Sequence, residues 1–109
     1  MNGKAIILLF ITILLVVIGY IGIQSIIGMH EQTHVKINEV FNIKSEVEMG
    51  LMDGSVSYIP VNLTKDEAKE LKIYHLLNEL TTYQFYNFYL LLYPMFASIV
   101  FLMMLKVFE

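Results

Sequence analysis

The sequence predicts an α-helical membrane protein with a small β element: two antiparallel transmembrane helices with juxtamembrane helical extensions, joined by a β-hairpin. The chain of 109 residues is 57% hydrophobic and 16% charged, whereas a soluble domain is nearer half apolar and a quarter charged. Residues 5–29 and 80–105 contain no charged side chain. Each run is long enough to cross roughly 30 Å of hydrocarbon as a helix. The residues between the runs have ordinary composition and contain a hairpin signal.

The first predicted element is an N-terminal transmembrane helix over residues 1–29. Its apolar stretch exceeds the about 7–15 residues of a signal peptide, and no cleavage motif of small residues follows it. We therefore expect a retained anchor in the lipid bilayer. Lys4 precedes this span and Lys106 follows the second one. By the positive-inside rule, these charges predict a two-pass protein with cytoplasmic termini and an extracytoplasmic loop.

A strip of small residues lies near one side of this helix and comprises Gly19, Gly22 and Ser25. Such a strip lets another helix approach closely, and it would permit homo- or hetero-oligomers through the transmembrane helices. Glycine is also frequent in membrane helices without any such role. Both interpretations stand at the level of the sequence.

The extramembrane module is predicted over residues 30–84, and it begins as a helix because nothing in residues 29–41 breaks the helix of the first span. A β-hairpin is predicted next, over residues 43–61. Apolar and polar residues alternate on both sides of the dipeptide Asp53-Gly54, which is a strong hairpin signal. Pro60 would cap the second strand or place it at an edge.

A helix over residues 65–84 is predicted to complete this module. Thr64 followed by Glu67 has the spacing of a capping box. The tripeptide from Asn62 to Thr64 also matches the N-glycosylation pattern, which has meaning only in an extracytoplasmic loop. Because a helix cap already accounts for Thr64, we favour the cap over a glycosylated Asn62.

The same helix is predicted to continue into a C-terminal transmembrane helix with a short tail, over residues 85–109. Pro94 inside this span predicts a kink or a local opening. Aromatic side chains gather at its outer edge, as in the interfacial belts of membrane proteins: Tyr83, Phe85, Tyr86, Phe88 and Tyr89. We favour such a belt over an aromatic ligand site.

Composition excludes several classes of function. The chain contains no cysteine, so neither disulfides nor thiolate metal ligands are available. Its net charge is −3 at pH 7, and no stripe of Lys and Arg appears in the sequence. Both observations argue against nucleic acid as a partner.

Two of the three histidines follow directly after the first apolar run, as His30 and His34. Residues at i and i+4 lie on one face of a helix, where two imidazoles can share a Zn²⁺ ion at about 2.0–2.1 Å each. Glu31 is rotated by about 100° on the helix, which directs its carboxylate towards the metal-bound water. The segment HEQTH resembles the H-E-x-x-H motif of the zincin metallopeptidases.

The third histidine stands in the segment YHLLNE, with His75, Asn78 and Glu79 on one face of a helix. The pair Asn-Glu resembles the third-ligand signature of the gluzincin branch. This resemblance implies that Glu79 is the third metal ligand and that Asn78 supports it. His75 would be a further ligand or, like Tyr74, a donor to charge that develops on the substrate.

Asp53 is a second candidate for the third ligand. The segment LMDG resembles the Asp-Gly ligand motif of intramembrane site-2-type proteases. We rank Asp53 below Glu79, because an aspartate at the start of a hairpin turn needs no further explanation.

The resemblance implies a membrane-anchored zinc metallopeptidase that hydrolyses peptide bonds of a membrane-associated peptide or protein. Glu31 would be the general base, and the edge strand over residues 54–61 would hold the extended substrate. The main alternative is a non-enzymatic two-pass subunit of a larger complex. A third interpretation keeps the metal as a structural clamp between the helices. Ligands of the His and Glu type also suit divalent ions other than zinc.

Overall fold

The computed structural model describes residues 2–108 of the chain, and its elements follow the predicted order. Helix α1 spans Gly3–Val40, strands β1 and β2 span Ser45–Met49 and Gly54–Tyr58, and helix α2 spans Lys65–Val107. The molecule is an elongated rod of 67 × 21 × 15 Å. Two long apolar helices and a two-stranded antiparallel sheet are thus confirmed. Met1 and Glu109, which end the predicted terminal segments, lie outside the described residues.

Local sequence accounts for the ends of both helices. The Asn2 side chain caps α1 by accepting from the Ala5 backbone N–H at 2.8 Å. Helix α1 then runs without a break through the first apolar run and HEQTH, as predicted, and it stops before Asn42, whose φ of 60° is left-handed. Helix α2 begins with the predicted capping box between Thr64 and Glu67. Pro94 lies inside α2 without ending it.

The two helices pack antiparallel through aromatic rings of α2 that cover glycines of α1. The Tyr89 hydroxyl donates to the Gly19 carbonyl at 2.8 Å, and the Tyr93 hydroxyl donates to the Leu15 carbonyl. A Cβ atom at Gly22 would overlap the Tyr89 hydroxyl, and one at Gly19 would lie 2.6 Å from the Tyr93 ring. These two glycines of the predicted small-residue strip therefore receive a helix of the same chain.

The hairpin has a longer turn than its sequence signal suggests. Its register pairs Val47 with Val56, and these two side chains are half-buried. Residues 50–53 form the turn, in which the Gly50 N–H donates to the Asp53 carbonyl at 2.8 Å. We call residues 50–53 the hairpin tip. Asp53 thus ends the turn instead of beginning it, because the strand pairing resumes only at Gly54.

The hairpin lies beside α1 and extends from the C-terminal end of this helix towards its middle. At the hairpin tip, the Leu51 carbonyl accepts from the Tyr20 hydroxyl at 2.6 Å and from the Gln24 amide. Gly54 allows this close approach, since a Cβ atom there would lie 2.9 Å from Cγ of Glu31. The predicted extramembrane module thus reaches back along α1 to Tyr20 and Gln24, which belong to the predicted membrane segment 1–29.

Candidate metal centre

Three side chains from the two helices converge on one point. Nε2 of His30 and Nε2 of His34 lie 3.2 Å apart. Oε1 of Glu79 lies 3.2 Å from the first of these nitrogens and 2.9 Å from the second. The ligand atoms of these residues all lie within 4.8 Å of one another, and together they could hold a metal ion. The sequence predicted this set of three residues as the metal ligands.

The size of this triangle fits a small cation with tetrahedral coordination. Zinc bonds of about 2.0–2.1 Å place tetrahedral ligand atoms about 3.3–3.4 Å apart. The edges of 2.9–3.2 Å are slightly shorter than this separation. Three ligands also leave a fourth position open, as in catalytic zinc sites.

A chain of hydrogen bonds behind His34 sets its tautomer. Nδ1 of His34 lies 2.6 Å from Nδ1 of His75, and Nε2 of His75 lies 2.8 Å from Oδ1 of Asn38. Because the amide oxygen can only accept, Nε2 of a neutral His75 donates to it, and Nδ1 of His75 accepts a hydrogen bond from the Nδ1–H of His34. This arrangement leaves a lone pair on Nε2 of His34, which is one corner of the triangle.

His75 remains a neutral ring in this chain. Burial lowers the pKa of His75, the neighbouring His34 lowers it further, and the Glu79 carboxylate opposes the shift. A neutral imidazole can donate from one nitrogen and accept at the other, which is what its contacts with Asn38 and His34 require. Both ring nitrogens of His75 are thus engaged behind His34, and neither belongs to the triangle.

His30 has a corresponding partner on α2. Its Nδ1 lies 2.9 Å from the Thr82 hydroxyl oxygen. When the hydroxyl accepts from Nδ1, the lone pair of Nε2 is free to face the triangle. Metal-bound histidines generally carry such a partner on the second nitrogen. Two lone pairs and a carboxylate oxygen at these distances repel one another unless a cation lies between them.

A metal-free arrangement of protons would differ in one testable respect. In that arrangement His30 and His34 would each donate from Nε2–H to Glu79, and the Thr82 hydroxyl would donate to Nδ1 of His30. Nδ1 of His75 would donate to His34, so Nε2 of His75 would have to accept from another group. Asn38 would then have to present its amide nitrogen instead of its oxygen. The Asn38 amide therefore distinguishes the two arrangements, and the metal-binding one requires Oδ1 towards His75.

Glu31 lies beside the triangle and takes no part in it. Its Oε1 is 3.7 Å from Nε2 of His30, and only 7% of the residue is exposed. The hairpin covers it at Gly54. Glu31 therefore borders the triangle without supplying one of its three atoms, and its role as a general base stays a prediction.

Two open cavities meet at this site. One of about 380 Å³ is bordered by Val56 and Tyr58 of the hairpin and by Leu71 and His75 of α2. The other, of about 290 Å³, is bordered by residues of the hairpin tip and of α2. Glu31 and Glu79 border both cavities. The two cavities adjoin at Glu31 and Glu79, and we call the depression that they form beside the triangle the groove.

One edge of β2 is free along this groove. Strand β1 occupies the opposite edge, and among the described residues the hairpin packs on α1 without backbone contact to α2. An extended peptide adds to a sheet through such unpaired backbone groups. The predicted substrate strand over residues 54–61 thus borders the groove with its first five residues in β2.

The remaining predicted residues lie around the centre. Asn78 donates from Nδ2 to the His30 carbonyl at 3.1 Å, so it ties α2 to the ligand-bearing turn of α1. Asp53 borders one cavity from the hairpin tip. The Tyr74 hydroxyl donates to Glu70 at 3.2 Å, a contact that raises the pKa of Tyr74. Asn62 is exposed between β2 and α2.

Sequence reasoning missed Asn38 and Thr82. Asn38 follows His34 at i+4 on the face that carries the ligands, and it is only 5% exposed. Thr82 follows Asn78 at i+4 on the inward face of α2. The spacing of both residues was visible in the sequence, but the partner of each lies on the other helix, and no local pattern reports that pairing.

The comparisons with known proteins identify no relative. The chain matches no protein-family model, no curated protein and no solved structure. The case for the site therefore depends on its own residues and their geometry.

Replacing Asn38 with leucine is expected to weaken zinc binding by about 10–100-fold, the range found for partners of metal-bound histidines. Leucine removes the acceptor for Nε2 of His75, so the tautomer of His34 is no longer held. Competition for zinc with a chromophoric chelator measures the affinity of the purified protein.

The matched control is Asn38→Asp, which keeps an acceptor oxygen at the same place and should retain the affinity. If the Asn38 amide nitrogen were the contacting atom, aspartate could not replace it. Loss of affinity in Asn38→Asp would thus contradict the tautomer that we assign to His34.

Proposed function

We propose that the chain is a membrane-anchored, zinc-dependent peptidase of the zincin type. The observation that supports this proposal best is the triangle of His30, His34 and Glu79, with the Glu31 carboxylate beside it. A site built only to clamp two helices would not need a buried carboxylate next to an open ligand position. A carboxylate that activates water does need to lie there.

The exposed surface of both helices supports a membrane anchor. By length and composition, α1 and α2 can each cross a bilayer. Their large apolar side chains are mostly exposed, including Phe10 at 65% and Leu102 at 61%. Contact with lipid would remove this surface from water. Lys4 and Lys106 favour cytoplasmic termini, which would place the metal centre on the outer side.

The residues would act in defined roles. His30, His34 and Glu79 would hold the ion, which when bound supplies a Lewis acid and a water of lowered pKa. Glu31 would take a proton from the attacking water as the new C–O bond forms. It would then deliver that proton to the amine that leaves when the C–N bond breaks.

The groove suggests how a substrate would be held. A peptide in extended conformation would pair with the free edge of β2 and so pass the open ligand position. The site directly adjoins both apolar runs, at His30 and Glu79. This position favours as substrate a peptide segment that emerges from the bilayer.

Metal removal tests the proposal directly. We expect protein purified without a histidine tag to contain one zinc ion per chain and to cleave fluorescence-quenched peptides that carry a membrane span, in vesicles. Treatment with a strong chelator should abolish both the zinc and the cleavage, and added zinc should restore both. Elemental analysis and fluorescence measure the two quantities on one sample. Absence of stoichiometric zinc would refute the proposal.

The second candidate is a non-enzymatic membrane subunit with a structural metal. It is favoured by the origin of the ligands, since two come from α1 and one from α2, so that a bound ion would join the helices. This candidate predicts stoichiometric zinc and chelator-sensitive thermal stability without cleavage of any peptide in the assay above.

A further inference from the structure

The hairpin tip carries two large apolar side chains that touch little of the protein. Leu51 is 81% exposed and Met52 is 61% exposed. Residues 49–52 carry no charge, and the carboxylate of Asp53, the charged group of the tip, folds back over Gly50. Two adjacent apolar side chains at the end of a hairpin are poorly placed in water when most of their surface is exposed.

The tip lies at the level where a crossing of the hydrocarbon by each helix would end. About twenty helical residues cross the hydrocarbon. Counted from the flanking charges Lys4 and Lys106, the crossing ends near Gln24 on α1 and near Tyr86 on α2. Contacts between the helices place these two residues at one height, since Gly19 meets Tyr89 below them and His30 meets Thr82 above them. Gln24 is also the residue that binds the tip.

The backbone of the tip is prepared for a poorly hydrated environment. Unpaired carbonyls are costly near hydrocarbon, but the Leu51 carbonyl accepts from Tyr20 at 2.6 Å. The Gly50 carbonyl accepts from the Gln24 amide at 3.3 Å. Two carbonyls of the tip are thus directed at α1, while the side chains of Leu51 and Met52 are largely exposed.

We propose that the hairpin tip is embedded in the outer interfacial layer of the bilayer, where Leu51 and Met52 contact lipid acyl chains. The exposure of these side chains, their height at the end of the hydrocarbon crossing and the two carbonyls paired with α1 all support this placement. The partner surface is the lipid bilayer itself. This inference goes beyond the proposed peptidase, because it requires membrane insertion but neither a bound metal nor catalysis.

The absence of tryptophan from the chain makes single-tryptophan variants direct reporters of depth. The test uses full-length Leu51→Trp in phosphatidylcholine vesicles, with bromine atoms placed either near the headgroup end or deep in the acyl chains. We expect emission shifted to the blue and a loss of intensity that is larger with the shallow bromines. Met52→Trp provides a second reading, should the first variant fold poorly by circular dichroism.

Two control variants separate the possible failures. Ile59 is 65% exposed at the opposite end of the hairpin, so Ile59→Trp should remain unquenched. Phe96 lies in the second apolar run and is 58% exposed, so Phe96→Trp should be quenched by the deep bromines.

The outcomes are decisive. Quenching of Leu51→Trp or Met52→Trp with unquenched Ile59→Trp supports the proposal. If Phe96→Trp is quenched and both tip variants are not, the tip lies outside lipid and the proposal is overturned while the membrane span stands. Blue-shifted but unquenched emission at the tip would mean a protein contact and would also overturn it. If Phe96→Trp is unquenched, the chain does not span the bilayer and both proposals fall.

Discussion

Replacing Glu31 with glutamine is expected to lower the rate of peptide hydrolysis by about 10²–10⁴-fold, the usual contribution of a general base. The amide has nearly the size of the carboxylate but cannot take a proton from water. The zinc content should stay at one ion per chain, because Glu31 is not among the three convergent ligands. The measurement combines initial rates of peptide cleavage in vesicles with elemental analysis of the same preparation.

A matched control for this change is Glu39→Gln, since Glu39 is an exposed glutamate on the same helix. It removes the same charge from α1 at a distance from the triangle and should leave both quantities unchanged. Full hydrolysis by Glu31→Gln with unchanged zinc would contradict the role that we assign to Glu31. Loss of the zinc in this variant would indicate that Glu31 is itself a ligand.

Replacing His34 with alanine is expected to abolish stoichiometric zinc and, with it, hydrolysis. The change removes one corner of the triangle and also leaves Nδ1 of His75 without its partner. We expect the zinc affinity to fall by more than about 100-fold, which is the upper end of the range for residues that only hydrogen-bond to a metal ligand. Chelator competition measures the affinity, and elemental analysis after dialysis measures the stoichiometry.

The neighbouring Thr33 provides the control for this second variant. Its hydroxyl donates to the Met29 carbonyl within α1, so Thr33→Ala changes the same helical turn without touching the triangle. It should keep both zinc and activity. If His34→Ala bound zinc as well as Thr33→Ala does, the metal centre would have to be built from other residues.

The elements of the fold could be predicted because their causes are local. Two uncharged apolar runs, a capping box at Thr64 and alternation around Gly54 each depend on residues close in sequence. The length of the hairpin turn could not be predicted, because Asp-Gly suits more than one turn type. The strip at Gly19 and Gly22 was visible in the sequence, which left its role open and could not show that rings of α2 in the same chain would cover it.

The three convergent ligands could be predicted because each helix carries its part of the site at helical spacing. The spacing of His30 and His34 at i and i+4 places both rings on one face of α1. The antiparallel connection of the helices then brings Glu79 to the same height. The roles of Asn38 and Thr82 depend on contacts between helices, which require the rotation of each helix about its axis. Nor could the sequence show that His75 would stand behind His34, since the same spacing suits a ligand.

The tyrosine contacts between the helices have a mechanical consequence for the metal centre. Gly19, which holds Tyr89, lies about 16 Å along α1 from His30. Sliding one helix by a single residue would move its side chains by about 1.5 Å, roughly half of the 2.9–3.2 Å edges of the triangle. The hydrogen bonds of the Tyr89 and Tyr93 hydroxyl groups to α1 therefore oppose such sliding in the apolar half of the molecule. They hold His30, His34 and Glu79 in register along the helix axes.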